Sequence, residues 1–184
     1  MSVRSQQRIA TADSSESESL NRGRIKLMVT LAGGGFLLES QSLLRRLGDE
    51  YDYCYITADD SLVPAELSDA EVYRIRSSFA VLERPHWWQR VFPFLHAFIQ
   101  ARSALSRARP DCVVCVGTAL AVPIGIAAKM LRIRSVFVES MARFERPSRT
   151  ARLVSRFGLA DRLYVQWPDA TQLYRDGIYR GTVL

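Results

Sequence analysis

Lysine is nearly absent from this chain of 184 residues, although the chain as a whole is basic. Lys26 and Lys129 are its two lysines, so 23 of the 25 basic residues are arginines, and the formal net charge is +6. Genome composition explains such a bias as well as function does. Arginine nonetheless binds phosphate and carboxylate groups through a planar, bidentate fork. Anionic lipid, sugar nucleotide and nucleic acid therefore stay open as partners.

Cysteine is scarce too, with three residues in the chain. Cys112 and Cys115 have the spacing of a redox motif, but they lie in an apolar run, Cys-Val-Val-Cys, that is typical of a buried strand. A redox motif needs an exposed thiolate, and a zinc site needs further cysteine or histidine ligands that are missing nearby. We therefore expect reduced thiols in the core, no metal and no cofactor.

Long apolar segments are lacking as well. Residues 1–23 are polar and have no signal-peptide core, so we expect a disordered tail there. The longest uncharged run, about residues 112–128, is interrupted by two glycines and a proline and is short for a transmembrane helix. Residues 24–184 suffice for one domain but not for two that close over a substrate, unless a second chain supplies the other half.

Short apolar runs that suit strands alternate with segments of helical spacing. Strands are predicted at residues 25–31, 51–57, 71–75, 112–117, 135–138 and 162–165, with a fragment near the C-terminus. Helices are predicted at residues 36–47, 119–131, 150–157 and 169–174, and a long aromatic and basic segment spans residues 84–108. This alternation predicts an α/β fold, with a Rossmann-like, mainly parallel sheet that is covered on both faces.

Four segments follow predicted strands, so they meet at the carboxyl edge of the sheet, where such folds bind ligands. They are residues 33–36, 117–119, 139–143 and 166–167. The first holds three glycines, which let the backbone approach a phosphate at a helix N-terminus, although a tight turn is the alternative. The G-x-G-x-x-G pattern and a ribose-binding acid are missing, which argues against an oxidoreductase that acts alone.

Two further segments at this edge carry polar or aromatic side chains. Glu139 directly follows a buried strand, where a carboxylate can bind a hydroxyl, orient an arginine or act as a base. The alternative is a structural acid that caps a helix or pairs with Arg143 or Arg146. Gln166 and Trp167 are predicted to form the wall of a pocket or of a partner interface, with a hydrophobic lid on the core as the alternative.

The aromatic and basic segment has two faces on a helical projection. Trp88, Val91, Phe92, Leu95, Phe98 and Ile99 share one face, and Gln89, Pro93, His96, Gln100 and Ala104 lie opposite. Large aromatic residues beside arginines are typical of a helix at a membrane interface, and an amphipathic helix packed on the sheet is the alternative. The residues predicted to contact the membrane are Trp87, Trp88, Arg90, Phe92, Phe94 and Phe98. We expect His86 and His96 to have packing roles.

From Pro110 onward these motifs resemble a known family. The motifs are Pro-Asp-Cys-Val-Val-Cys-Val-Gly-Thr-Ala, Val-Phe-Val-Glu-Ser-Met-Ala-Arg and Ala-Asp-Arg-Leu-Tyr-Val-Gln-Trp-Pro. They are similar to those of the asparagine-linked glycosylation fourteen-like family, the membrane-anchoring subunits of a split N-acetylglucosaminyltransferase. Its bacterial relatives act in exopolysaccharide and capsule synthesis, and the chain resembles this bacterial type over about residues 25–184.

The resemblance implies the N-terminal half of a GT-B glycosyltransferase, completed by a small donor-binding subunit. The chain would be the acceptor-side subunit at the cytoplasmic face of the inner membrane, held there peripherally. The enzyme would transfer a sugar from a nucleotide sugar, such as a UDP-sugar, to a polyprenyl-diphosphate-linked saccharide in polysaccharide biosynthesis. No nucleic acid is expected as a partner, because the arginines form no known binding module.

The resemblance also suggests residue roles. Glu139 and Glu39 are the candidate catalytic residues. Candidates for binding the acceptor and its phosphates are Gly33, Gly34, Gly35, Ser140 and Arg143. The glycine loop of the family usually ends in histidine, but this chain has Phe36, which neither accepts a proton nor binds phosphate by charge. Either a glutamate replaces that histidine, or the chain is a non-catalytic membrane scaffold for the transferase subunit.

Overall fold

The computed structural model describes residues 24–61, 63–67, 70–76 and 87–184. The predicted disordered tail and His86 lie outside the described residues, as do the side chains of Trp87, Trp88 and Arg90. The statements below refer to the described part of the chain.

Seven strands form one sheet in the order β3-β2-β1-β4-β5-β6-β7, and neighbouring strands pair in parallel. The strands are β1 (Lys26–Leu31), β2 (Asp52–Ala58), β3 (Val72–Ile75), β4 (Cys112–Val116), β5 (Arg134–Val138), β6 (Arg162–Val165) and β7 (Gly177–Tyr179). The α-helices are α1 (Gly35–Leu47), α2 (Trp87–Ala108), α3 (Ala121–Leu131) and α4 (Arg149–Phe157). Short 3₁₀ helices span Ala65–Leu67 and Asp169–Leu173. The predicted Rossmann-like α/β fold is confirmed.

Each face of the sheet packs against its own layer of helices, because successive strand residues point to opposite faces. In β1, Met28 belongs to the core under α2, α3 and α4, whereas Leu27 and Val29 belong to the core under α1. Many inward residues of α2 and α3 are small. They include Ala97, Ala101, Ala104 and Ala108 of α2 and Ala121, Ala127 and Ala128 of α3.

The inward face of α2 lies opposite the apolar stripe seen on the helical projection. Ala104, on the side opposite the stripe, is buried together with Ala97 and Ala101, so alanines face the core. Phe92 is 68% exposed, and Val91 and Leu95 are exposed with it. The alanine-rich part of α2 therefore packs on the sheet, and its large apolar side chains point outward near the N-terminal end. Among the described residues, no helix has the length and apolar character needed to span a membrane.

The strand order reverses between β1 and β4, the two central strands. From β1 the chain builds outward through β2 to β3, and it then returns to place β4 on the other side of β1. The loops that follow β1 and β4 therefore diverge at the carboxyl edge of the sheet and leave a crevice between them. The glycine loop follows β1, and the segments that hold Glu139, Ser140 and Gln166 follow β5 and β6 at the same carboxyl edge.

Candidate functional site

The glycine loop at the end of β1 is open to solvent. Gly33, Gly34 and Gly35 are exposed, and a Cβ atom placed on Gly34 or Gly35 would meet no atom within 4 Å. Gly34 has a φ of 68°, a left-handed conformation that favours glycine. It precedes the first residue of α1, and no side chain caps that helix. The loop therefore presents free backbone and an uncapped helix N-terminus to the crevice.

Phe36, which follows the glycine loop, is half-buried. Its ring packs on Gly117 at the end of β4, where a Cβ atom would lie 2.5 Å from Cδ1 and Cε1 of the ring. Gly117 also has a φ of 59°, so glycine is favoured there for two reasons. The benzyl side chain thus joins the glycine loop to the end of β4 by van der Waals contact alone.

Glu39 is buried one turn into α1 and links that helix to the end of β5. Its Oε1 accepts a hydrogen bond of 2.6 Å from the Ser140 hydroxyl, and its Oε2 accepts one of 3.3 Å from the Met141 N–H. The same Oε2 accepts a third bond of 2.7 Å from Nε2 of Gln166. The carboxylate therefore fixes the turn that begins at Ser140.

Gln166 uses both ends of its side chain inside the protein. Its Nε2 donates to the Glu139 carbonyl at 3.0 Å as well as to Glu39, and its Oε1 accepts from the Val183 N–H at 2.9 Å. Because Gln166 is buried, its side chain forms neither a pocket wall nor a partner surface in this structure. It connects α1, β5, β6 and the segment that follows β7.

Glu139 is 1% exposed and is also surrounded by neutral donors. Its Oε2 accepts hydrogen bonds of 2.6 Å from the Tyr174 hydroxyl and 2.8 Å from the Ser148 hydroxyl, and one of 3.2 Å from the Ser148 N–H. Its Oε1 accepts one of 3.1 Å from the Ser140 N–H. These contacts take the place of the arginine pairing that the sequence left open.

These side chains form one polar network, which consists of Glu39, Glu139, Ser140, Ser148, Gln166 and Tyr174 and is buried except at the half-buried Ser148. Burial and the hydrogen bond to Glu139 raise the pKa of the Tyr174 hydroxyl well above its usual 10.0. Both effects disfavour a tyrosinate beside a buried carboxylate. Tyr174 therefore stays a hydrogen-bond donor throughout the neutral pH range.

Two members of the polar network were missed by sequence reasoning. Ser148 precedes α4, and its hydroxyl caps the helix by accepting from the Ala151 N–H at 2.9 Å. A serine followed by a helical segment is a recognisable start signal, although it gives no hint of a carboxylate partner. Tyr174 follows a short 3₁₀ helix, and no sequence signal connects it with Glu139.

An aromatic pair lies above the network on the turn after β5. Trp167 donates from Nε1 to the Met141 carbonyl at 2.6 Å, and its ring meets the Phe144 ring edge-on at a centroid distance of 6.3 Å. Both rings are partly exposed, as is the side chain of Arg143 in the same turn. Trp167 therefore lies at the surface beside Arg143, whereas its neighbour Gln166 points inward.

The structure also places the residues predicted to contact the membrane. Phe92 and Phe94 are exposed on α2, and Phe98 is half-buried against the core. His96 lies at the surface. Among the described residues, no cluster of histidine, cysteine, aspartate or glutamate has the arrangement needed to hold a metal ion.

Comparison with protein families gives a match over almost all of the described fold. Residues 27–183 match the family described as "Oligosaccharide biosynthesis protein Alg14 like". The chain belongs to this family. The match includes the glycine loop, the turn after β5 and the Gln-Trp-Pro segment, so every residue of the polar network lies within the family's domain.

Two curated relatives extend this result. The human protein named UDP-N-acetylglucosamine transferase subunit ALG14 is 29% identical over 187 residues, which cover 89% of this chain and 85% of the human one. The protein of the same name from Eremothecium gossypii is 37% identical over 102 residues, which cover 49% of this chain and 45% of that protein. The human protein thus matches this chain along most of its length.

Solved structures show the same fold within longer chains. MurG from Acinetobacter baumannii superposes with a TM-score of 0.66 at 19% identity, over 87% of this chain and 46% of MurG. A UDP-GlcNAc 2-epimerase from Methanocaldococcus jannaschii gives 0.62 at 16% identity, over 86% of this chain and 47% of the epimerase. This chain therefore spans less than half the length of either protein, as a single Rossmann-like unit.

Proposed function

We propose that this chain is the acceptor-side subunit of a two-chain glycosyltransferase and that it recruits a separate donor-binding subunit. The enzyme transfers a sugar from a nucleotide sugar to a polyprenyl-diphosphate-linked saccharide in polysaccharide biosynthesis. The donor is a UDP-sugar, in keeping with the UDP-N-acetylglucosamine in the name of the human relative. The chain works at the cytoplasmic face of the inner membrane, which it contacts peripherally.

One combined observation supports this proposal: the chain matches about half the length of MurG, and the carboxyl edge of its sheet is open to solvent at the glycine loop. The chain aligns with 46% of MurG, and its glycine loop faces solvent. In open α/β sheets the ligand lies beyond the carboxyl ends of the strands, near the reversal of strand order. A second domain facing this edge would complete a cleft, which supports a partner subunit.

The open loop and the turn after β5 are suited to different parts of an acceptor. Gly33, Gly34 and Gly35 offer backbone N–H groups and an uncapped helix end, which favour a phosphate. Arg143 adds an exposed guanidinium, and Ser140 lies beneath it in the same turn. We assign diphosphate binding to this combination.

The two glutamates support a positioning role at least as well as the predicted catalytic one. Both are buried, and all four carboxylate oxygens already accept hydrogen bonds from protein donors. A base must reach the proton that it abstracts. Glu39 and Glu139 would need to exchange a protein donor for the acceptor hydroxyl in order to act as bases.

A second candidate function is a non-catalytic membrane scaffold for the transferase subunit. The contact between Phe36 and Gly117 favours it, because an apolar ring occupies the end of the glycine loop. In that case the chain assembles the enzyme and holds the acceptor, and the partner supplies every reacting group.

Reconstitution with the donor-binding subunit tests the proposal. The purified complex is given radiolabelled UDP-GlcNAc and a polyprenyl-diphosphate-linked saccharide, and lipid-linked product is counted. Product from the complex and none from either chain alone is expected. Arg143→Gln should reduce transfer at least about tenfold, since a bidentate charge contact is worth more than 1.4 kcal/mol. Arg134→Gln is the matched control, because Arg134 is exposed at the first residue of β5, at the amino ends of the strands.

Two outcomes decide between the alternatives. If no small subunit co-purifies and no product forms, the two-chain enzyme is refuted. If Glu39→Gln and Glu139→Gln leave turnover unchanged in an intact complex, the scaffold is favoured over a catalytic role for these glutamates.

A further inference from the structure

The three helices that cover one face of the sheet contain no acidic residue. The segments α2, α3 and α4 hold no aspartate or glutamate. Their basic residues are Arg90, Arg102, Arg107, Lys129, Arg149, Arg152 and Arg156. The chain as a whole has 19 acidic residues, so this absence sets one face apart from the rest of the molecule.

Helix α4 combines this charge with outward-facing apolar side chains. Ala151 and Val154 point into the core, which is the face that holds the helix on the sheet. Leu153 is 42% exposed and Phe157 is 58% exposed on the outer side. The exposed arginines Arg149, Arg152 and Arg156 flank them. An outer surface of large apolar residues and arginines is the composition of a helix that lies in a lipid interface.

The end of α3 continues the same surface. Nζ of Lys129 donates to the Phe157 carbonyl at 3.4 Å and to the Gly158 carbonyl at 3.1 Å, which brings the C-terminal ends of α3 and α4 together. The next residue, Met130, is 62% exposed. On α2, the third helix of this layer, Phe92 and Leu95 are exposed. Exposed apolar residues thus occur on all three helices.

We propose that the whole outer face of α2, α3 and α4, here called the helical face, lies on an anionic lipid surface. This inference rests on the membrane association in the proposed function and extends it from α2 to the other two helices. Charge complementarity identifies the occupant, because basic residues near anionic headgroups are attracted and acidic residues would be repelled. Apolar side chains between the arginines add insertion into the interface.

The orientation follows from the layers. With the helical face on the lipid, the sheet lies one helix diameter above it, or about 10 Å. The carboxyl edge then runs along the side of the contact, close to the headgroups, and α1 faces away from the membrane.

Sedimentation with lipid vesicles tests the inference on the full chain. One set of vesicles is phosphatidylcholine alone, and the other contains about one third phosphatidylglycerol. The wild-type chain should bind the anionic vesicles and be released by salt. Arg152→Gln with Arg156→Gln should weaken this binding about 25-fold, because each basic residue near the surface contributes about fivefold.

Apolar variants separate insertion from charge. Leu153→Gln with Phe157→Gln should weaken binding to anionic vesicles at least about tenfold, since two side chains leave the interface. Leu38→Gln on α1 is the matched control, because Leu38 is 61% exposed on the opposite face. Arg45→Gln with Arg46→Gln on α1 is the control for charge. Both controls should bind as the wild type does, and circular dichroism checks that all variants are folded.

The possible results are distinct. If the α4 variants bind as the wild type does, while Phe92→Gln with Leu95→Gln abolishes binding, the contact is confined to α2 and the inference is wrong, although the proposed function survives. If the wild type binds no vesicle, the membrane part of the proposed function fails as well. If the α4 variants bind vesicles as the wild type does but no longer co-purify with the donor-binding subunit, the helical face contacts protein rather than lipid.

Discussion

The glycine loop and the polar network are neighbours at one edge of the sheet, but they are built in opposite ways. The loop consists of backbone, faces solvent and has no side-chain cap at its helix end. The network consists of side chains and is buried except at the half-buried Ser148, and no buried polar side-chain atom of the described residues lacks a partner. The helix that starts at the loop also supplies Glu39 to the network.

This difference shows how an exposed loop can be held in position by side chains that lie below the surface. A loop that must admit a ligand gains little from side chains that fill it. Its position must then be fixed from below, by groups that do not touch the ligand. In this chain the buried carboxylates set the position of the loop and of the turn after β5, while the exposed backbone and Arg143 stay available. The predictions below test this division.

The largest expected effect comes from removing a carboxylate of the network. Glu139→Ala leaves the donors of Tyr174, Ser148 and Ser140 without their acceptor, and the free energy of unfolding should fall by at least about 3 kcal/mol. Urea denaturation measures it. Glu145→Ala removes an exposed acid from the same connection and should change stability by less than about 0.5 kcal/mol. If Glu139→Ala and Glu145→Ala lower the free energy of unfolding equally, the polar network does not stabilise the carboxyl edge of the sheet.

A smaller effect is expected from removing one donor. Tyr174→Phe deletes the 2.6 Å hydrogen bond to Glu139 and should cost about 1.5–3 kcal/mol. The pH dependence gives a second measurement. The pKa of Tyr174 is raised on folding, so its contribution is complete below pH 10, the unfolded value, and is lost as the pH rises above it. The variant should lose less stability than the wild type between pH 9 and pH 11.

Tyr179→Phe is the control for the tyrosine at position 174. Tyr179 is exposed on β7, and its replacement should leave the stability at neutral pH unchanged within about 0.5 kcal/mol. If both variants show the same alkaline profile as the wild type, the bond between Tyr174 and Glu139 contributes nothing to folding.

The smallest effect on stability belongs to the open loop. Gly35→Ala adds a methyl group in open space at the first turn of α1 and should raise the free energy of unfolding by up to about 1 kcal/mol. Gly34→Ala should instead destabilise by about 1 kcal/mol because of its positive φ. If the loop binds phosphate, Gly35→Ala should raise the KM for the lipid-linked acceptor several-fold. An unchanged KM would move the phosphate site elsewhere.

Most of the fold was predictable from the sequence, because it depends on local patterns. Apolar runs such as Cys112–Val116 identify strands, and Gly48 correctly marked the end of the first helix. The positions of Glu139 and Gln166 directly after strands also predicted that they lie at one edge of the sheet. Their burial was not predictable, since it depends on partners that are far away in the sequence.

Helix α2 shows the same limit in another form. The sequence contains both a large aromatic stripe and a series of small residues, and it left open whether the stripe packs on the sheet or contacts a membrane. In the structure Ala97, Ala101 and Ala104 are buried in the core and allow α2 to pack closely on its neighbours, which leaves much of the stripe exposed. The competition between two apolar faces is settled by shape, which a hydropathy pattern does not contain.

The polar network has a consequence for the order of folding. Gln166 and Glu39 are 127 residues apart, and Ser140 and Glu39 are 101 apart, so these bonds are among the least local contacts of the chain. Contacts of this kind form late, because long loops must close before they are made. The edge therefore acquires its shape only when α1, β5 and β6 are already in place. A partly folded chain exposes the loop without its supports, and competence to bind arrives in the last folding step.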